Sequence, residues 1–125
     1  MMRVLIVERD RLHRDLIREW LEEGGVQAVC ADDLAGAPAG IDAVLIDVAS
    51  QQQAHAILLS WRRAYPHAAM VAASGRFSPR DMANDAMARR LGVTGILAKP
   101  FTRGDLWTAL GLPAERATRP SATRR

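Results

Sequence analysis

Five short apolar runs divide this chain: Arg3 to Val7, Val26 to Ala31, Ile41 to Ile46, Ala68 to Ala73 and Gly95 to Ala98. Continuous runs of this length, without polar alternation, belong to strands buried on both faces. The intervening segments carry apolar residues at helical spacing instead. Leu12, Leu16, Ile17, Trp20 and Leu21 form one such stripe, stopped by Gly24-Gly25; Ala54, Ile57, Leu58 and Trp61 form another, ending near Pro66. Ser78-Pro79 predicts a helix start, a hydroxyl cap followed by proline at the first helical position. Met82, Ala86 and Met87 lie on that helix, which closes at Leu91-Gly92. Thr102-Arg-Gly-Asp105 reads as a capping box opening a last helix with Leu106, Trp107 and Leu110, and Trp107 is expected in the core. The second crossover is stunted: Asp32 to Gly40 contains Gly36, Pro38 and Gly40, leaving room for one or two turns. Strands alternating with helices predict an α/β fold with right-handed crossovers and a parallel sheet covered on both faces.

Composition limits what such a domain does. A chain of 125 residues, 49% hydrophobic and 25% charged, fits one globular domain. No stretch approaches the roughly 20 apolar residues of a membrane span, and the N-terminus lacks a signal-peptide layout, so a cytoplasmic protein is expected. The formal charge of +3 comes entirely from residues 113–125, where Arg116, Arg119, Arg124 and Arg125 face Glu115 alone. The expected division is a domain over 1–112 and a basic, disordered tail or linker stub over 113–125. With the excess charge confined to the tail, a nucleic-acid partner is not expected. The lone Cys30 has no disulfide or metal-knuckle partner and reads as a core thiol.

In sheets of this kind ligands bind at the carboxyl ends of the strands. Here the first strand ends in Glu8-Arg9-Asp10, the third in Asp47, the fourth in Ser74-Gly75 and the fifth in Lys99-Pro100. Lys99 is the single lysine in a chain with sixteen arginines. A compact ammonium on a flexible stem differs from a planar guanidinium where one charge must meet carboxylate or phosphoryl oxygens in a confined site. Asp47 follows an apolar strand and needs a cation, a metal or an open cleft. His13, His55 and His67 share no metal-ligand spacing and read as exposed or incidental.

Taken together, Val4-Leu-Ile-Val-Glu8, Val44-Leu-Ile-Asp47, Val71-Ala-Ala-Ser74-Gly75 and Gly92-Val-Thr-Gly-Ile-Leu-Ala-Lys99-Pro100-Phe101 resemble a CheY-like response-regulator receiver domain of bacterial two-component signalling, over roughly residues 3–111. The resemblance implies a doubly wound, flavodoxin-like sheet of strand order 2-1-3-4-5. It implies a phosphoacceptor at Asp47, with Ser74 and Lys99 binding the phosphoryl group, and Mg²⁺ held by Glu8, Asp47 and the Ala49 backbone. A histidine kinase or phosphotransfer protein would be the donor. The signal would pass to a downstream effector through the face of the fourth helix, fifth strand and fifth helix, with a homodimer as one form of contact. A signalling domain is implied, not an enzyme beyond self-phosphorylation and autodephosphorylation. The turn at Lys99-Pro100 resembles the family's, where the bond is cis.

Three departures qualify the resemblance. Arg9 stands where the family has its second acid, and a guanidinium there is placed to pair with Glu8 and Asp47; Asp10 is one residue too far along. The loop after Asp47 lacks the usual Pro and Gly. Ile96 holds the position of an aromatic switch and has no polar tip to swing. Two functions therefore stand open: a phosphorylated receiver, or a receiver-like module that is not phosphorylated, its acidic pocket locked by Arg9, serving constitutive protein contact or dimerisation. A Schiff-base enzyme built on Lys99 is disfavoured by Pro100 and by the lack of substrate loops.

Overall fold

Adjacent residues on the apolar runs point to opposite faces, and both faces are filled. The computed structural model describes residues 2–49 and 51–112. The elements are β1 (Arg3–Val7), α1 (Arg11–Glu23), β2 (Gln27–Cys30), a 3₁₀ turn (Leu34–Gly36), β3 (Ala43–Asp47), α2 (Gln51–Ala64), β4 (Ala69–Ser74), α3 (Pro79–Ala83), α4 (Ala86–Leu91), β5 (Gly95–Ala98) and α5 (Arg103–Ala109). All strand pairs are parallel, in the order β2-β1-β3-β4-β5, as expected. Val4, Ile6, Leu45 and Leu97 face a core with Ile17 and Leu21 of α1 and Leu106 and Trp107 of α5. Leu5, Val44, Ile46 and Ile96 face the other way, onto Leu58 and Trp61 of α2 and Leu91 of α4. Two-sided burial is why the runs show no alternation. The basic tail read from residue 113 onward lies outside the described residues. Among the described residues no helix is long and apolar enough to cross a membrane.

Local chemistry sets the element ends. Asp10 caps α1, its carboxylate accepting from the Leu12 and His13 N–H groups at 3.0 and 3.4 Å. At the other end of α1, Gly24 meets the Trp107 ring so closely that a Cβ there would sit 2.0 Å from Cζ2, which only glycine avoids. Trp107 is buried, as its place on the apolar stripe predicts. The short crossover is the single 3₁₀ turn, capped by Asp33 and tied down where Tyr65 Oη donates to the Pro38 carbonyl at 2.5 Å.

Two expectations change. The helix anticipated from Ser78 to Leu91 is broken into α3 and α4. Asn84 is extended (φ −139°, ψ 167°), its side chain accepting from the Ala86 N–H at 2.9 Å and donating to the Arg80 carbonyl at 2.8 Å. A short amide that satisfies backbone groups locally offers an alternative to the helical ladder, and here that alternative wins. Cys30 is half-buried on the edge strand, not deep in the core; Arg18 Nη2 donates to its Sγ at 2.9 Å.

Candidate functional site

The carboxyl ends of β1, β3 and β5 meet at one edge of the sheet. Glu8 is the residue after β1, Asp47 the last of β3 and Lys99 the residue after β5. Lys99 keeps the β4–β5 ladder going one step, its N–H donating to the Ser74 carbonyl at 3.0 Å, and a cis bond to Pro100 follows. From there its Nζ donates to Glu8 Oε1 at 2.6 Å and pairs with Asp47 Oδ1 at 2.7 Å. One ammonium thus joins two carboxylates carried by β1 and β3, both far earlier in the sequence.

The two acids differ in access. The Glu8 side chain is 5% exposed and that of Asp47 28%, so solvent or a small reactant reaches Asp47 and not Glu8. Glu8 is held by more than Lys99. His13 Nδ1 lies 3.0 Å from the same Oε1, and the Asp10 N–H donates to Oε2 at 3.1 Å. The His13 ring packs against Phe101 with centroids 5.1 Å apart. Burial pushes the Glu8 pKa up, but the hydrogen bond from Lys99, that from the Asp10 N–H, the Lys99 charge and the His13 contact together hold it below its ordinary value. For Lys99 burial works downward and is outweighed by hydrogen bonds and attraction from Asp47 and Glu8, which raise its pKa. A buried carboxylate and a half-buried ammonium each stabilise the other's charged form.

Of the residues singled out in the sequence, the structure brings Glu8, Asp47 and Lys99 together. Ser74 is buried on the neighbouring strand end; its Oγ accepts from the Arg76 N–H at 3.0 Å and makes no hydrogen bond to the other three. Ala49 lies two residues past Asp47, after Val48 has extended the β3–β4 ladder through its N–H to the Ala73 carbonyl at 2.8 Å. Arg9 corrects an expectation. It is exposed and forms no ion pair among the described residues; the contacts to Glu8 and Asp47 foreseen for it are made by Lys99. The physical reason is direction: Glu8 turns inward at the end of β1, and the next side chain turns out to water. Asp10 also stays out of the pocket, its carboxylate spent on the α1 cap. Ile96 is buried beside a cleft of about 460 Å³ that Asp81, Asp85, Thr94, Asp105 and Thr108 also line.

His13 is the site residue that sequence reasoning missed. Its signal was the Asp10 cap, which fixes the first turn of α1 over the end of β1 and so brings position 13 back onto Glu8. His55 and His67 are exposed, as read.

The implied Mg²⁺ meets a donor set that does not fit it. Among the described residues no group of three or more His, Cys, Asp or Glu side chains is placed to hold a metal ion. Mg²⁺ demands oxygen ligands in a near-octahedral array. Of the implied ligands, Glu8 has both oxygens engaged by protein N–H donors and Asp47 shares Oδ1 with Lys99, which leaves the Ala49 backbone; Arg9 and Asp10 supply no carboxylate to the pocket.

No protein-family model matches the sequence, and no curated protein sequence matches it significantly. Solved structures do. The sheet order is that of the doubly wound, flavodoxin-like fold, and the solved structures that superpose on it are CheY-like response-regulator receiver domains. A CheY-like response regulator receiver domain protein from Methanospirillum hungatei superposes with a TM-score of 0.71 at 18% identity, covering 94% of this chain and 97% of that one. A receiver domain protein from Clostridium thermocellum gives 0.67 at 23% identity, over 89% of this chain and 92% of that one. A response regulator from Burkholderia pseudomallei, solved with a phosphorylated aspartic acid, calcium ion and citrate, gives 0.68 at 18% identity, over 94% of this chain and 70% of that one.

Proposed function

We propose that residues 1–112 form the receiver module of a cytoplasmic two-component pathway and accept a phosphoryl group on Asp47. The observation that carries this reading is the 2.7 Å contact between Asp47 Oδ1 and Lys99 Nζ at the open end of the sheet. A carboxylate there is exposed enough to attack and close enough to an ammonium for the added charge to be met. In the step, an Asp47 oxygen attacks phosphorus, the bond from phosphorus to the donor breaks, and the leaving group keeps the electron pair. With a phosphohistidine donor, the leaving group is the imidazole of a histidine kinase or phosphotransfer protein.

Lys99 then binds a phosphoryl oxygen in place of the carboxylate oxygen it now holds, since a point charge stabilises added negative charge without requiring a fixed fork. Ser74 sits one strand away, and a turn of its side chain from the Arg76 N–H toward the new oxygens is the local event that reports modification. Its strand carries that event to β5, where Ile96 borders the cleft between α3, α4 and α5. That face, without an aromatic switch, is the surface offered to an effector or a second copy. The aspartyl modification named for the Burkholderia pseudomallei neighbour supports the chemistry on this fold. The module carries out no turnover beyond gaining and losing the phosphoryl group.

Intact-mass analysis after incubation with acetyl phosphate tests the proposal. A phosphoryl adduct in the wild type that Asp47→Asn abolishes is expected. No adduct in the wild type, with one in Arg9→Asp, would favour the unphosphorylated interaction module instead.

A further inference from the structure

Glu8 offers two carboxylate oxygens, and protein donors already hold both. Oε1 accepts from Lys99 Nζ at 2.6 Å and lies 3.0 Å from His13 Nδ1; Oε2 accepts from the Asp10 N–H at 3.1 Å. Asp47 gives Oδ1 to the same ammonium at 2.7 Å. Arg9 places a guanidinium in solvent beside the pocket, adding positive charge and no oxygen ligand, and Asp10 is bound into the α1 cap by its contacts to Leu12 and His13.

We infer that this pocket holds no divalent cation at rest, the Lys99 ammonium standing between Glu8 and Asp47 as the resident counter-charge. The inference concerns the Asp47 site proposed above and rests on that reading for its meaning in signalling. Its physical basis is competition for oxygen. A hydrated Mg²⁺ loses water reluctantly and needs carboxylates free to replace it. Here it would have to pull two acids from a cation at hydrogen-bonding distance, in a setting where Glu8 is shielded from water and the attraction is correspondingly stronger. It would also bring two positive charges to a place already holding one. The consequence is regulatory: the arrangement of Glu8, Asp47 and Lys99 before phosphoryl transfer is the same with and without Mg²⁺, so the cation does not prepare the module for its donor.

Electron paramagnetic resonance of Mn²⁺ with the full chain tests this directly, because the free ion's signal is lost on binding and no phosphodonor is present. The wild type is expected to leave the signal of millimolar Mn²⁺ unchanged. Lys99→Met, which frees Oδ1 of Asp47 and removes the resident positive charge from Glu8, and Arg9→Asp, which replaces a positive charge beside the pocket with a carboxylate, are each expected to bind at least about tenfold more tightly. Arg9→Asp stands alone if Lys99→Met does not fold. Loss of the Mn²⁺ signal with the wild type, reversed by Mg²⁺, would overturn the inference, as would failure of the folded variants to gain affinity. A wild type that forms no phosphoryl adduct would instead remove the phosphoacceptor reading and leave the metal result untouched.

Discussion

The sheet edge at Glu8, Asp47 and Lys99 and the segment from Gly75 to Thr94 are neighbours in the fold, yet they are built on opposite terms. At the sheet edge, residues up to 91 positions apart are brought within hydrogen-bond distance by three strands whose apolar positions are almost all fully buried. In the other segment the hydrogen bonds at the helix break are local: Asn84 satisfies backbone groups two and four residues away and breaks one helix into two short ones. The difference shows where rigidity comes from in a domain this small. Strands packed on both faces hold charged groups at fixed distances, whereas a helix of a turn or two, lining an open cleft, keeps alternatives within reach.

The largest effect that would break this contrast lies in the charge network. Lys99→Ala leaves Glu8 buried beside an unneutralised Asp47, and removal of one partner from such a pair is expected to cost roughly 3 kcal/mol. Urea unfolding at neutral pH measures it. A loss as small as that of an exposed arginine substitution would mean that the network is decorative.

Next in size is the dependence on pH. The folded pKa of Glu8 is lowered from 4.5, so its contribution is complete above that value and is lost as the pH falls through the lower folded value. Lys99 is raised from 10.5, so its contribution is complete below that value and fades as the pH rises through the higher folded one. Stability from the network therefore spans the whole neutral range. In Glu8→Gln the acid limb of the urea midpoint against pH is expected to flatten; an unchanged limb would assign acid sensitivity to other carboxylates.

The smallest effect is expected at the helix break. Asn84→Ala removes two exposed hydrogen bonds and improves helix propensity, so stability should change by less than about 1 kcal/mol while far-ultraviolet circular dichroism gains helical signal. A large loss of stability would show that the break is held as firmly as the sheet edge.

The same contrast explains what was legible in the sequence. Strand positions are readable because two-sided burial leaves an apolar signature, and candidate residues at strand ends follow from where those runs stop: Glu8, Asp47 and Lys99, which the structure joins, and Ser74, which bonds the Arg76 N–H instead. The break at Asn84 was hidden because Met82, Ala86 and Met87 continue a helical spacing across it, and apolar spacing does not register a side-chain amide competing for the backbone. His13 was missed for a related reason. Its role depends on the direction in which α1 leaves β1, set by the Asp10 cap, and not on any spacing among histidines. The pairing of Lys99 in place of Arg9 turned on which way one residue points after a strand ends.

The central claim is that Asp47, held by Lys99 at the sheet edge, is the group that takes the phosphoryl. Borohydride reduction of the acetyl phosphate-treated protein, followed by peptide mapping, reads the modified position because an aspartyl phosphate is converted to homoserine. The account predicts homoserine at position 47 and at no other aspartate. Homoserine at Asp10 or another acid, with Asp47 intact, would contradict it.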